Sequence, residues 1–208
     1  GRSYGKIVSR FRLMGFKKRF RYIENFRLPL LHEGIVQQID YNPVHSLNLI
    51  RIFNPILNFH FYIRFIEGLR TGFYIKSYDN GKMMLGDCNN LTFFPIYRPI
   101  NNLNCYNNNK IARCAGTFCT ILQRYERYSL IRFPSKKVLY VCNQSQATLG
   151  RLGNRGFKMQ TLGKAGRKYL KGRRSRVRGV AMNPVDHPHG GGEGKSSGGV
   201  KTSVSYWG

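Results

Sequence analysis

The residue types with the greatest chemical capability lie near the end of the chain, in the stretch GVAMNPVDHPHGGGEG from Gly179 to Gly194. Asp186, His187 and His189 set one carboxylate beside two imidazoles, a group that can move protons or ligate a metal. A metal needs further ligands, and the remaining histidines, His32, His45 and His60, are distant in sequence. A histidine beside an aspartate inside a turn is also a common hydrogen-bonded structural residue, and for His187 that reading stands beside the catalytic one. Pro184 and Pro188 stiffen the stretch by holding φ at about −65°. Gly190, Gly191 and Gly192 then strip every side chain from one bend, so the backbone can take positive φ and press closely against another surface.

A second candidate is Gly194-Lys195-Ser196, which matches the end of a phosphate-binding GxxxxGK[ST] loop. The opening glycine would fall where this chain has His189. No strand precedes the loop and no apolar helix follows it, so nucleotide hydrolysis is not indicated. Ser135 and Ser145 have no base that spacing would position for nucleophilic attack.

Charge says more than these clusters. The chain has 35 basic and 9 acidic residues in 208, a formal charge of +26. Residues 1–27 carry +8, 28–150 carry +7 and 151–208 carry +11, so the ends are far denser in charge than the middle. Between Arg151 and Arg178 stand eleven Lys or Arg and no carboxylate. Such repulsion calls for a polyanion, and nucleic acid is the first candidate because its closely spaced phosphates release counterions to Lys and Arg. Membrane insertion is not indicated: no run of about eighteen apolar residues exists, and the basic arm has no regular apolar stripe. Sequence-specific DNA binding is a poor fit, since no recognition helix, zinc finger or basic zipper is visible. In the first 26 residues basic and aromatic side chains interleave, which suits stacking on bases as well as phosphate contact; an alternating strand with a solvated basic face is the plainer reading. The five cysteines, Cys88, Cys105, Cys114, Cys119 and Cys142, form no CxxC pair and read as free thiols packed as small hydrophobes.

The elements that must position these groups read as strands. Apolar and β-branched runs at 35–41, 47–53 and 59–65 are separated by the turns NPVHS and NPILN. After a Gly and Asn cluster at Asn80, Gly81, Gly86, Asn89 and Asn90, taken as a domain boundary, a three-stranded meander is expected from 119–125, 128–133 and 137–142. Short strands at this spacing favour small barrels, which leave few exposed edges. Beyond Gly150, glycines break any long helix and apolar residues are sparse, so an extended arm with a few short turns, ordered by a partner, is expected.

The tail GVAMNPVDHPHGGGEGKSSGG, together with LGKAGRKYLKGRRSRVRG at 162–179, closely resembles the universal large-subunit ribosomal protein two (L-two) family. Collinear, weaker matches are GRSYGKIVSRFR at 1–12, YNP at 41–43, EGLRTG at 67–72, ARCAGTF at 112–118, ATLGRLGN at 147–154 and the closing SYWG. The resemblance implies an all-β architecture: an OB-type barrel over 1–87, an SH3-like barrel over 88–158 and an extended basic, glycine-rich C-terminal arm over 159–208. It implies large-subunit rRNA, neighbouring ribosomal proteins and the small subunit as partners, and no catalytic activity. It directs the tip, Asn183 to Gly194, toward the peptidyl transferase centre, with Asp186 orienting His187, a position for which a part in peptidyl transfer has been proposed in the family.

The RNA-contacting residues expected on these grounds fall in three groups. Near the start they are Arg2, Lys6, Arg10, Arg12, Lys17 and Lys18. Along the arm they are Arg151, Arg155, Lys164, Arg167, Lys168, Lys171, Arg173, Arg174, Arg176 and Arg178. At the tip they are Asn183, Asp186, His187, His189, Gly190, Gly191, Gly192 and Lys195. No cofactor is expected beyond structural Mg²⁺ shared with the RNA. The chain departs from the family at RLMGFKKRF, where a glycine-rich His-containing turn is usual, and in a central loop rewritten as NNLNCYNNNK. The family's segments before GRSYG and after the Trp-Gly end are not in this sequence, which suggests a shortened organellar form or one piece of a split gene whose other polypeptide supplies them. Abundant Asn, Ile, Phe and Tyr point to AT-rich coding DNA and a mitochondrial ribosome, with a plastid or a bacterial cytoplasm as alternatives. Two other functions remain open from sequence: an RNA-dependent enzyme using Asp186, His187 and His189, and a nonspecific nucleic-acid chaperone.

Overall fold

The computed structural model describes the chain except residues 1, 4–5, 8–14, 80, 106–109, 195–201 and 206–208, with the backbone alone for 2–3 and 6–7. Arg10, Arg12, Lys195, the Gly-Lys-Ser motif beyond Gly194 and the Asn107–Asn109 triplet therefore lie outside the described residues. The protein forms two units, one from Gly1–Lys17 with Leu162–Gly208, the other from Lys18–Thr161. Nearly all regular structure is β. Among the described residues no helix is long and apolar enough to cross a membrane.

In the first unit, β1 (Arg2–Ser3) and β2 (Lys6–Ile7) pair antiparallel as a short hairpin. In the second unit an antiparallel four-stranded sheet runs in the order β5-β4-β3-β6, built from β3 (Gly34–Asp40), β4 (Leu49–Asn54), β5 (Phe59–Arg64) and β6 (Tyr74–Ile75). The alternation seen in sequence is the packing: Val36, Ile50, Ile52, Phe61, Ile63 and Ile75 fill its core. Both Asn-Pro turns are closed by the asparagine. Asn42 Oδ1 accepts from the N–H groups of Val44 (3.0 Å) and His45 (3.3 Å). Asn54 Oδ1 accepts from Ile56 (2.9 Å) and Leu57 (3.1 Å), while its Nδ2 donates to the carbonyls of Leu30 and Leu31. These are Asx turns, in which the side chain replaces the next strand hydrogen bond.

The second sheet comprises β7 (Cys88–Asn90), β8 (Pro99–Asn104), β9 (Lys110–Ile111), β10 (Cys119–Arg124), β11 (Tyr128–Arg132), β12 (Val138–Cys142) and β13 (Gln146–Leu149). Its order is β12-β11-β10-β8-β13-β7, with β9 on β8. The expected meander is β10-β11-β12, and its inward residues Cys119, Ile121, Ile131 and Val141 share a core with Leu91, Phe94, Ile100, Leu103 and Ala147. Both sheets are curled, barrel-like and of the all-β class expected.

The second sheet includes residues that the sequence suggested as loop. Asn101 to Asn104, read as the opening of a rewritten loop, form the end of β8, a strand inside the sheet. Asparagine is depleted in strands, but these side chains have internal work. Asn101 Nδ2 donates to Gly150 O (2.9 Å), and Asn102 and Asn104 Nδ2 both donate to Asn25 O (2.8 and 2.9 Å). Asn89 and Asn90 lie in β7, the first strand of the second sheet, and pair with β13.

Between the two sheets lies Arg27, only 2% exposed. Its Nη2 donates to Gly86 O (2.7 Å) and Thr148 Oγ1 (3.2 Å), and its backbone N–H and C=O are both bound by Gln146. Arg64 is buried nearby with Nη1 on Asn102 Oδ1, and burial, aided by Arg113, pushes its guanidinium down to about 10. All five cysteines are free; Cys88 and Cys119 are buried, and Cys114 is exposed.

Candidate RNA interface

The arm leaves Thr161 as a series of short turns. A six-residue helix, α1 (Ala165–Leu170), is the only α-helix among the described residues. Its end is closed by Gly172 at φ +83°, with the Gly172 N–H on Tyr169 O at 2.8 Å. Gly15, at φ +85°, comes so close to this end that a Cβ would lie 2.0 Å from Leu170 O. The departure RLMGFKKRF thus keeps a glycine where the chain passes α1.

Lys164, Arg167, Lys168, Lys171, Arg173, Arg174, Arg176 and Arg178 are all exposed. Arg167 Nη1 donates back to Leu162 O (3.2 Å). From Arg173 to Arg178 the backbone has no regular structure, and four exposed guanidinium groups stand along a segment with no carboxylate in its sequence. Lys17 and Lys18 are likewise exposed. Arg2 and Lys6 lie in β1 and β2.

Two expected contacts are differently placed. Arg151 is half-buried in the Lys18–Thr161 unit. Its Nε donates to Gly116 O (3.2 Å) and lies 3.9 Å from Glu67 Oε2, and the guanidinium sits 4.9 Å from the Phe118 ring centroid. Arg155 is more open, with Nη1 at 3.6 Å from Glu67 Oε1. Arg151 is therefore committed largely to the protein. Conversely Lys158 and Arg19, absent from the expected set, are as exposed as the residues named. Lys158 could have been found from the basic run that contains it.

The tip folds on itself. A 3₁₀ turn, Gly179–Ala181, leads into Asn183-Pro184, where Asn183 O accepts from the N–H groups of Asp186 (2.9 Å) and His187 (3.3 Å). His187 is 8% exposed, whereas Asp186 and Val185 are exposed. Its ring lies against Gly179, where a Cβ would come within 2.4 Å of both Cε1 and Nδ1. Nδ1 accepts the His189 N–H (3.0 Å), and the His187 carbonyl accepts the Gly190 N–H (2.8 Å). The two imidazole centroids are 4.9 Å apart, and His189 Nε2 accepts from the Val204 N–H at 3.4 Å.

This geometry defines what the imidazoles can do. In neutral His187 the Nδ1 lone pair is taken by the His189 N–H, which leaves the proton on Nε2 and makes that nitrogen a donor. A general base needs an available lone pair directed at its substrate. His187 is thus built as a packed, hydrogen-bonded residue.

The glycines have a related explanation. The close approach expected at Gly190 to Gly192 is, at two of the three, to the chain itself. A Cβ on Gly190 would lie 2.3 Å from Asn183 O, and one on Gly191 would lie 2.6 Å from Pro184 Cγ. The Gly191 N–H bonds to Met182 O at 3.1 Å. Gly191 and Gly192 also take φ of +89° and +96°. Gly179 is the residue that sequence reasoning missed, because nothing in its type or spacing announces the ring lying over it.

Residues 1–77 match the family described as Ribosomal Proteins L2, RNA binding N-terminal domain, and residues 84–208 match Ribosomal Proteins L2, C-terminal domain. The chain belongs to the ribosomal protein L2 family. Among curated relatives it is 38% identical over 208 residues to "Large ribosomal subunit protein uL2" of Wolbachia pipientis subsp. Culex pipiens (strain wPip), covering 99% of this chain and 75% of the relative. The protein of the same name from Wolbachia sp. subsp. Drosophila simulans (strain wRi) is 38% identical, and that from Wolbachia pipientis wMel 37%, with the same coverage. The gap between the two family matches, 78–83, falls just before β7, where the second sheet begins.

Proposed function

We propose that the chain is a structural, non-catalytic constituent of the large ribosomal subunit that binds large-subunit rRNA. Membership of the L2 family along both halves of the chain carries this reading, since its relatives are named as large-subunit proteins and one matched domain is described as RNA binding. The exposed cations from Lys164 to Arg178 are its physical counterpart: phosphate is the ligand that relieves their repulsion. Arg guanidinium groups can meet phosphates bidentately, while Lys supplies point charges.

Several finer points belong to the same reading. The OB-like, SH3-like and extension segments are 1–87, 88–158 and 159–208. The tip from Asn183 to Gly194 enters the rRNA toward the peptidyl transferase centre as a preformed knot, with His187 supporting its shape. Neighbouring ribosomal proteins and the small subunit across the intersubunit face are its protein partners. The ribosome we propose is mitochondrial, on the composition of the chain; the relatives above are bacterial, and a bacterial cytoplasm is the alternative.

The test is sedimentation of lysate from purified mitochondria at high salt, with and without ribonuclease, following the chain by mass spectrometry. Co-migration with the large subunit that ribonuclease abolishes is the expected result. A slow free species in both gradients would remove the ribosomal reading, and recovery only from a cytoplasmic fraction would remove the mitochondrial one.

A further inference from the structure

The Lys18–Thr161 unit has a groove of about 710 Å³, within the roughly 300–1,000 Å³ of small-ligand sites. Its apolar wall includes Met83, Phe93 and Pro95, its cations are Lys82, Arg98 and Arg124, and no carboxylate is among its described lining residues. Two neighbouring phenyl rings are treated differently. Phe94 is 1% exposed and belongs to the core, whereas Phe93 is 44% exposed. Phe93 ends a 3₁₀ turn, Leu91–Phe93, held from outside by Arg124, whose Nη2 donates to the carbonyls of Leu91 (3.1 Å) and Phe94. The turn that carries the exposed ring is thus anchored, and it offers a flat face in a groove shared with exposed Lys82 and Arg98.

An exposed planar ring with cations on its rim and no carboxylate in the groove lining, Asp79 being turned to the Gly81 N–H (3.0 Å) and to Lys76, complements a ligand that is itself planar and anionic. A nucleotide meets all of these terms at once, since each base brings its own phosphate. We propose that this groove receives a single unstacked nucleotide of the rRNA, its base on Phe93 and its phosphate toward Lys82 and Arg98. The inference rests on the rRNA-binding reading above. A base inside a duplex cannot reach such a groove, so the nucleotide comes from a loop or bulge, where RNA offers splayed bases to aromatic side chains.

The experiment uses the full chain and its organism's large-subunit rRNA, irradiated at 254 nm, digested and mapped by mass spectrometry, with affinities measured over a salt series. Nucleotide adducts on Phe93 or Met83 are expected in addition to those on the arm. Phe93→Ala should weaken binding by about 5- to 150-fold, the range of one lost base–aromatic stack, with an unchanged salt slope. Phe93→Trp should retain affinity, and Arg98→Ala should lower the slope by about one. Adducts confined to the arm and tip, with Phe93→Ala binding as the parent does, would overturn the groove while leaving the rRNA reading intact. Loss of all rRNA binding by the parent chain would instead sink that reading. A protein neighbour crosslinked to Phe93 in isolated subunits would also overturn the proposal.

Discussion

If the tip is shaped by its own packing, Gly179→Ala should disturb it through His187. The Gly179 φ is outside the left-handed region, so alanine suits that backbone and the whole cost is contact. Its Cβ would lie 2.4 Å from Cε1 and Nδ1 and 2.6 Å from Cγ of the imidazole. Overpacking of this kind costs about 1–3 kcal/mol, and displacing the ring forfeits the His189 N–H bond, about 0.5–1.5 kcal/mol. Lower entropy of the unfolded alanine chain returns about 0.4–1 kcal/mol. The net is about 2 kcal/mol, or about 30-fold in a local opening equilibrium. Amide hydrogen exchange in the full chain reads this at His189 and Gly190, whose N–H groups are held by His187 Nδ1 and O. Both should exchange about 30-fold faster in Gly179→Ala.

The decisive comparison is the same substitution in a His187→Ala background. With the ring gone the clash is gone, and only the entropic gain remains, so Gly179→Ala should become neutral or stabilising by about 0.4–1 kcal/mol. A reversal of sign between backgrounds is a coupling that no general effect of glycine loss would produce. Equal destabilisation in both would refute the packing argument and return Gly179 to a purely backbone role.

Three further outcomes follow from other parts of the molecule. Alanine at Arg173, Arg174, Arg176 or Arg178 should each lower the salt slope of rRNA affinity by about one, read by filter binding over a salt series, whereas Gly179→Ala should leave it unchanged. Buried His32 accepts the Leu28 N–H on Nδ1, and burial, then the nearby Arg27 charge, push its imidazole below the usual range. The unfolded chain therefore binds that proton more readily, so stability is lost as pH falls below about 6.5. His32→Asn, which keeps an acceptor, should flatten that loss in thermal melts between pH 7.5 and 5.5; Glu24 and Asp87, both raised by burial, act in the opposite sense at more acid pH and remain in the variant. Asn54→Ala loses all four hydrogen bonds and should cost about 2 kcal/mol or more in urea denaturation. Asn54→Asp keeps the turn acceptors but sets a carboxylate oxygen against the Leu30 and Leu31 carbonyls in a buried site, and should cost at least as much.

Strands whose burial follows the side-chain period were legible in the sequence, and β4, β5, β10 and β11 fall within two residues of expectation, as does β12, which shows an apolar run rather than alternating burial. The period works there because one face is apolar and the other is not. β8 escaped because its Asn101, Asn102 and Asn104 resemble turn residues when read alone, and only the folded chain supplies the carbonyls of Asn25 and Gly150 that their amides bind. Arg27 escaped for the same reason. Arginine is rarely buried fully, and the partners that permit it come from Gly86, Gln146 and Thr148, far along the chain.

The arm and tip divide along the same physical line. Charge is legible without a fold, because a run of cations with no carboxylate implies an anionic partner wherever the chain goes. The glycines are different: their number signals close approach but not what is approached. At Gly190 the neighbour is the Asn183 carbonyl, at Gly191 it is Pro184 and at Gly179 it is the His187 ring. A tip so closed needs less ordering on contact with RNA than an open chain of equal length, and ordering is a large part of what association costs. On the proposed reading the glycines set the shape of the tip that meets the RNA, and the exposed cations of the arm supply the attraction.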